Sequence, residues 1–170
     1  TFLEGGTHVP FFARWPKAIS PGTRFENPIS HLDIFGTAAA AAGAAVPNDR
    51  RIDGVNLMPY INGDKKGDPH ESIFWRTGHY QAVLNKGWKM MVSENPSKVW
   101  LFNLKEDPTE QHNIASRHPE KVAELRRLLN AHNAEQAESL WEAIGEMPNR
   151  PDKTAADPWV EGEEYFYWPG

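Results

Sequence analysis

The chain has 170 residues, enough for one domain that buries roughly 70% of its unfolded surface. Hydrophobic residues make up 39% of it, with seven Trp and eight Phe, which supports a packed core and argues against disorder. A net charge of −5 with no basic run speaks against nucleic acid as a partner, and the absence of cysteine removes disulfides, thiolate zinc sites and cysteine nucleophiles.

Taken in chain order, Gly5-Gly6 reads as a sharp turn or a close backbone approach. Val9 to Trp15, bounded by Pro10 and Pro16, suits a buried strand in which Arg14 needs a partner. Ser30-His31-Leu32-Asp33 resembles a capping box and opens a helix, which continues through the alanine-rich run Thr37 to Ala42 and stops at Gly43. Asp53-Gly54 marks a turn, Asn56 to Ile61 allows one helical turn, and Asp64 to Pro69 reads as a surface linker.

The middle of the chain is β. Ser72 to Trp75, Tyr80 to Leu84, Trp88 to Val92 and Val99 to Leu104 are short apolar and aromatic runs separated by turn residues, the pattern of antiparallel hairpins. Met90 and Val92 share one strand face, and Lys89 and Met91 share the other. Asp107-Pro108-Thr109-Glu110 reads as a helix start, and His118-Pro119-Glu120 starts a longer helix whose apolar face is Val122, Leu125, Leu128, Leu129 and His132. The terminal Tyr165-Phe166-Tyr167-Trp168 is too aromatic for a solvated tail and is expected to pack against the domain or a partner. No stretch approaches the ~20 apolar residues of a membrane-spanning helix.

Few residues are arranged for chemistry. There is no phosphate-cradling loop and no nucleophile elbow. The histidines His8, His31, His70, His79, His112, His118 and His132 lack metal-ligand spacing. Asp49, Asp53, Asp64 and Asp68 fit turns better than a calcium loop.

A set of short blocks nevertheless occurs in a telling order. Glu4-Gly5-Gly6-Thr7-His8-Val9-Pro10 resembles the Glu-Gly-Gly-x-Arg-Val-Pro stretch of the sulfatase family, in the alkaline-phosphatase-like superfamily. Trp15-Pro16 with Pro21-Gly22, Ser30-x-x-Asp33 through Thr37, and Asp53-Gly54-x-x-Leu57 are similar to further blocks of that family. Gly87-Trp88-Lys89, Leu101-Phe102-Asn103-Leu104 and Asp107-Pro108-x-Glu110-x-x-Asn113 follow in the family's order. Two positions depart from the pattern: His8 stands where arginine is usual, and Gly36 where proline is usual. Histidine would make a weaker, pH-dependent contact there than a bidentate guanidinium.

The resemblance implies the C-terminal region of an arylsulfatase-like sulfuric-ester hydrolase. The expected class is α/β, becoming α+β in a smaller part where an antiparallel sheet packs with a long helix. Residues 1–65 would end the large domain, 66–139 would form the C-terminal subdomain, and 140–170 a packed tail. The family's formylglycine, its calcium-binding acids and its catalytic lysine and histidine lie upstream of the stretch that matches here. The nearest decoy of the formylglycine motif, Ser20-Pro21-Gly22-Thr23-Arg24, has its proline one place too early. No catalytic residue, metal ligand or cofactor is therefore assigned within the chain. Its expected partners are the upstream catalytic portion and, in the intact enzyme, a sulfate ester; the family context implies a periplasmic or secreted protein. Trp75, Arg76 and His79, read as a connection between two strands, combine an aromatic platform, a guanidinium and a titratable ring, which suits a ring bearing an anionic group. The alternatives are a stand-alone, non-catalytic module that binds sulfated or anionic sugars, or the C-terminal part of a related phosphodiesterase or phosphonate hydrolase.

The isolated chain should release no product from a chromogenic aryl sulfate in the presence of calcium. It should also run as a dimer or larger species, because Val9 to Trp15 and the alanine helix would lack the sheet they pack on. Turnover above a buffer blank, or a clean monomer in light scattering at high concentration, would contradict these expectations.

Overall fold

The computed structural model describes residues 2–78, 80–94, 97–138, 140, 146–149, 156, 158, 160–161 and 166–169, with 146–149 and 166–169 through their backbone. The chain forms two compact units, one made of Thr1–Pro10 with Phe74–Gly170, the other of Phe11–Ile73. The opening residues thus group with the later sheet, whereas the division read from sequence assigns them to the part ending at 65.

The first unit is organised by a sheet in the order β1-β2-β3-β4, formed by β1 (Ser72–Thr77), β2 (Tyr80–Asn85), β3 (Trp88–Glu94) and β4 (Ser97–Asn103). The pairs β2–β3 and β3–β4 are antiparallel. Lys86 and Gly87 between β2 and β3 both have positive φ, 49° and 81°, the backbone that a two-residue hairpin turn needs to match strand twist. Alternation then sorts the side chains. Tyr80, Ala82, Met91, Trp100 and Phe102 form one buried cluster, to which Phe2, Leu3, Trp75 and Leu104 add partly buried contacts. Val83, Met90, Val92 and Leu101 form the other face and pack with Leu125 and Leu129 of helix α4 (Pro119–Ala134). Lys89 pairs in register with Leu84 and Phe102, which places it on the Met91 face as expected.

Before the sheet, α1 (Glu4–Thr7) is a single turn bonded back to Leu3 and Glu4. Two expectations fail after this point. Val9 to Trp15 is not a buried strand: it makes no strand pairing, and Val9, Phe11 and Phe12 are 65%, 54% and 90% exposed. Asp107 to Glu110 does not start a helix: Asp107 accepts the amides of Gln111 and His112, and Glu110 sits at φ 57°, so the segment turns. A 3₁₀ turn at Ala115–Arg117 precedes α4. Beyond α4, β5 (Glu146–Asn149) and β6 (Phe166–Pro169) pair antiparallel; Tyr165 lies outside the described residues.

The second unit holds α2 (Asp33–Ala41) and α3 (Met58–Ile61). The alanine helix forms as expected but starts at Asp33, with Leu32 and not Ser30 in the capping position. Gly54 is required by packing, because a Cβ there would lie 2.0 Å from the Leu32 carbonyl oxygen.

Leu125 is 0% exposed, and Leu125→Ala should cost about 2–5 kcal/mol. Urea unfolding followed by far-UV circular dichroism would check this; a cost below about 1 kcal/mol would mean that α4 does not close the sheet.

Candidate functional site

Among the described residues of the first unit, a dense polar arrangement is built around Lys89, whose side chain is 0% exposed. Its ammonium donates to Glu4 Oε1 at 2.8 Å and to Thr7 Oγ1 at 3.2 Å, and lies 3.0 Å from Glu110 Oε1. Three oxygens thus surround a group that carries three N–H donors. The Trp75 ring centroid lies 5.7 Å from Nζ, within cation–π range. Glu110 Oε2 accepts the Glu4 backbone N–H, and Glu4 Oε2 faces His8 Nδ1 at 3.0 Å. Burial pushes the Glu110 carboxyl above the ordinary carboxylate range, against the opposing pull of Lys89 and of the Glu4 amide. The blocks Glu4-Gly5-Gly6, Gly87-Trp88-Lys89 and Asp107-Pro108-x-Glu110 therefore meet at one buried ammonium. Sequence reading missed this cluster. The available signal was a lysine on an apolar strand face, which must find a carboxylate.

Asn113, the last polar residue of its block, seals β4. Its Nδ2 donates to Val99 O at 3.0 Å, while its Oδ1 accepts from Leu101 N at 3.1 Å and from Ala115 N at 3.0 Å. Such contacts satisfy a strand edge that would otherwise invite pairing with another chain.

In the second unit the corresponding centre is Asp33, 0% exposed. Its Oδ1 accepts from Val55 N at 2.8 Å, its Oδ2 from Ser30 N at 2.8 Å, and His70 Nε2 stands 2.8 and 2.9 Å from the two oxygens. Thr37 Oγ1 accepts from Leu57 N at 3.0 Å. The Ser-x-x-Asp and Asp-Gly-x-x-Leu blocks thus close on each other, and the bare Cα of Gly54 permits the approach.

The residues expected to face substrate are not one cluster. Trp75 and Arg76 lie within β1 and not in the connection after it. Trp75 packs on the Lys89 face. The Arg76 guanidinium donates to Ala137 O at 2.8 Å, just past the end of α4. His79 lies outside the described residues. Arg76 borders an open depression of about 380 Å³ together with Gly78, Gln81, Asn133, Gln136 and Glu138. Asn133 Nδ2 donates to Gln81 Oε1 at 2.7 Å, while Asn133 Oδ1 is buried with no hydrogen-bond partner among the described residues. The lining is a guanidinium and amides, which donate to hydroxyls and anions, with a carboxylate that accepts from hydroxyls.

The buried acids do not fit a metal: Glu4 and Glu110 are committed to Lys89, and Asp33 to His70 and two amides. Among the described residues no group of three or more His, Cys, Asp or Glu is placed to hold an ion. Among them, too, no helix is long and apolar enough to cross a membrane.

The sheet-and-helix unit joins its motif blocks at Lys89, and the second unit joins its own at Asp33. The family model for the C-terminal region of N-sulphoglucosamine sulphohydrolase matches residues 1–138, and the chain belongs to the sulfatase family as a C-terminal portion. Steryl-sulfatase of Rattus norvegicus is 37% identical over 115 residues, which is 68% of this chain and 20% of that protein. An N-acetylgalactosamine-6-O-sulfatase of Bacteroides thetaiotaomicron is 28% identical over 142 residues, 75% of this chain and 28% of that protein. The crystal structure of Ps i-CgsB superposes with a TM-score of 0.64 at 28% identity, over 75% of this chain and 29% of that one. The chain spans 20% to 29% of the length of these relatives.

The raised Glu110 pKa sets a pH dependence. As pH rises through the ordinary carboxylate range, the unfolded chain ionises Glu110 before the folded one does, so folding loses stability until the folded pKa is passed and is level above it. Relative to Glu110→Gln, the wild type should lose stability across that window and no further above it. Chemical unfolding at a series of pH values checks this, and a difference that rises with pH would contradict it.

Proposed function

We propose that this chain is the non-catalytic, C-terminal part of an enzyme that hydrolyses a sulfate ester on a sugar or aryl ring, and that it braces the fold and presents part of the substrate side. The carrying observation is the meeting of three motif blocks at buried Lys89, in a chain matched over residues 1–138 by a model of the family's C-terminal region. On this reading the preceding portion supplies the formylglycine nucleophile and the calcium ligands. On the same reading none of the chemistry passes through Lys89, Glu4 or Asp33, whose polar groups are engaged within the two clusters.

Within the chain, Arg76 is the group suited to an anionic ring substituent, with Trp75 and His79 beside it in sequence. Support comes from the polar depression that Arg76 borders and from relatives that act on sulfated sugars. The N-acetylgalactosamine-6-O-sulfatase is one such relative. Apolar side chains of the second unit, Phe11, Phe12, Leu32, Ile34 and Phe35, are 49% to 90% exposed. We assign them to contact with the preceding portion, and to self-association when that portion is missing. The family context supports a periplasmic or secreted location for the whole protein.

The test uses the polypeptide made with its preceding portion. Sulfate release should be seen from aryl sulfates or sulfated saccharides. Arg76→Ala should lower kcat/KM about 10-fold or more, with little change in melting temperature. No release from either substrate class would overturn the hydrolase reading, and an active enzyme with unchanged kinetics in the variant would leave Arg76 a structural role alone.

A further inference from the structure

We propose that Lys89 is a positioning residue: by holding Glu4, it sets the place and direction at which the polypeptide preceding the sheet joins it, and so the alignment of that portion for catalysis. The catalytic half of this inference rests on the hydrolase reading; the structural half does not.

The family model covers a C-terminal region, so the rest of a family member lies on the N-terminal side and connects through the segment ending in Glu4. That segment groups with a sheet whose residues are distant in sequence: Glu4 is 85 positions from Lys89 and 106 from Glu110. The polar ties are concentrated on a few atoms. Glu4 offers one oxygen to Lys89 and the other to His8, and its own N–H goes to Glu110. Thr7, at the other end of α1, offers its hydroxyl oxygen to the same ammonium. The first turn is therefore gripped at both ends by one charge. The apolar ties, Phe2 and Leu3 against the Tyr80 cluster, have no directional preference of comparable sharpness.

Lys89 is also an expensive choice for a buried strand position. Its neighbours in register are Leu84 and Phe102, and an apolar residue at that position would join the Met91 and Trp100 cluster without needing partners. What the lysine adds is specificity: only a carboxylate at the right distance satisfies it, which excludes a shifted register of the incoming turn. Glu110 serves as the second wall. It accepts the Glu4 amide and adopts φ 57°, a left-handed conformation that is uncommon for a non-glycine residue.

The decisive experiment compares Lys89→Met, Lys89→Arg and Glu4→Gln. Glu4→Gln leaves the ammonium paired with Glu110 and tests the contact even if Lys89→Met does not fold. Amide hydrogen exchange is measured on the chain itself, and sulfate release on the polypeptide with its preceding portion. In Lys89→Met and Glu4→Gln the amides of Gly6, Thr7 and His8, which close α1, should lose protection by about 10-fold or more, while those of Met90 and Met91 keep theirs. In the intact enzyme kcat should fall about 10- to 100-fold with KM little changed, and Lys89→Arg should recover part of it. If α1 loses protection only together with the sheet, or keeps it in both variants, the positioning role is wrong. An active wild type whose kcat is unaffected by the variants also overturns it. A wild-type enzyme without sulfate release would instead defeat the hydrolase reading, leaving the exchange data to judge the structural half.

Discussion

A buried ammonium cannot be left without oxygens around it, and this constraint shapes the first unit. Removing one partner from such a group costs about 3–5 kcal/mol, which exceeds what most single contacts contribute. With Lys89 fully enclosed near the start of β3, two carboxylates and a hydroxyl have to be delivered to one point from two distant parts of the chain. The one-turn helix at Glu4–Thr7, the left-handed Glu110 and the turn after Asp107 are all local solutions to that delivery. The two apolar clusters of the sheet supply most of the stabilisation by area, but they would tolerate other arrangements of the segments around them.

The second unit meets a similar demand with the opposite charge. Asp33 is enclosed at the start of a helix, where backbone N–H groups and a helix dipole favour a carboxylate, and it draws in Ser30, Val55 and His70. The glycine at 54 is the geometric condition for this, since any side chain there would strike the Leu32 carbonyl. Both centres are built around residues of the family blocks. The acids and bases in those blocks hold segments together, and the groups with donors facing solvent, such as Arg76, lie elsewhere.

That division of labour bears on how a chain of this kind is to be interpreted. Strongly paired buried charges invite a catalytic reading, yet Lys89, Glu4 and Asp33 are engaged by partners within their own clusters. A reacting group needs access and an unspent lone pair or proton. The open depression beside Arg76 has access, amides and a guanidinium, which makes it suited to recognition; it has no nucleophile of its own among the lining residues.

Much of the architecture was legible in the order of residues. Alternation along β2, β3 and β4, the Lys86-Gly87 turn, the apolar stripe of α4 and the sequence of motif blocks each depend on neighbours a few positions apart, which is the range over which periodicity and turn chemistry act. Periodicity even put Lys89 on the correct face. It could not say what waited there, because pairing Glu4 with Lys89 and Glu110 joins positions 85 and 106 apart and no local pattern encodes such a meeting. The same limit explains the errors. Val9 to Trp15 has a strand's composition but pairs with no strand among the described residues. Asp107 to Glu110 has a helix start's composition, but Glu110 is drawn to the ammonium and the backbone turns away. Composition and spacing determined the elements and the family; the tertiary structure alone decided which charges share the interior, because the cost of burying a charge is settled only when its partners have been brought into contact.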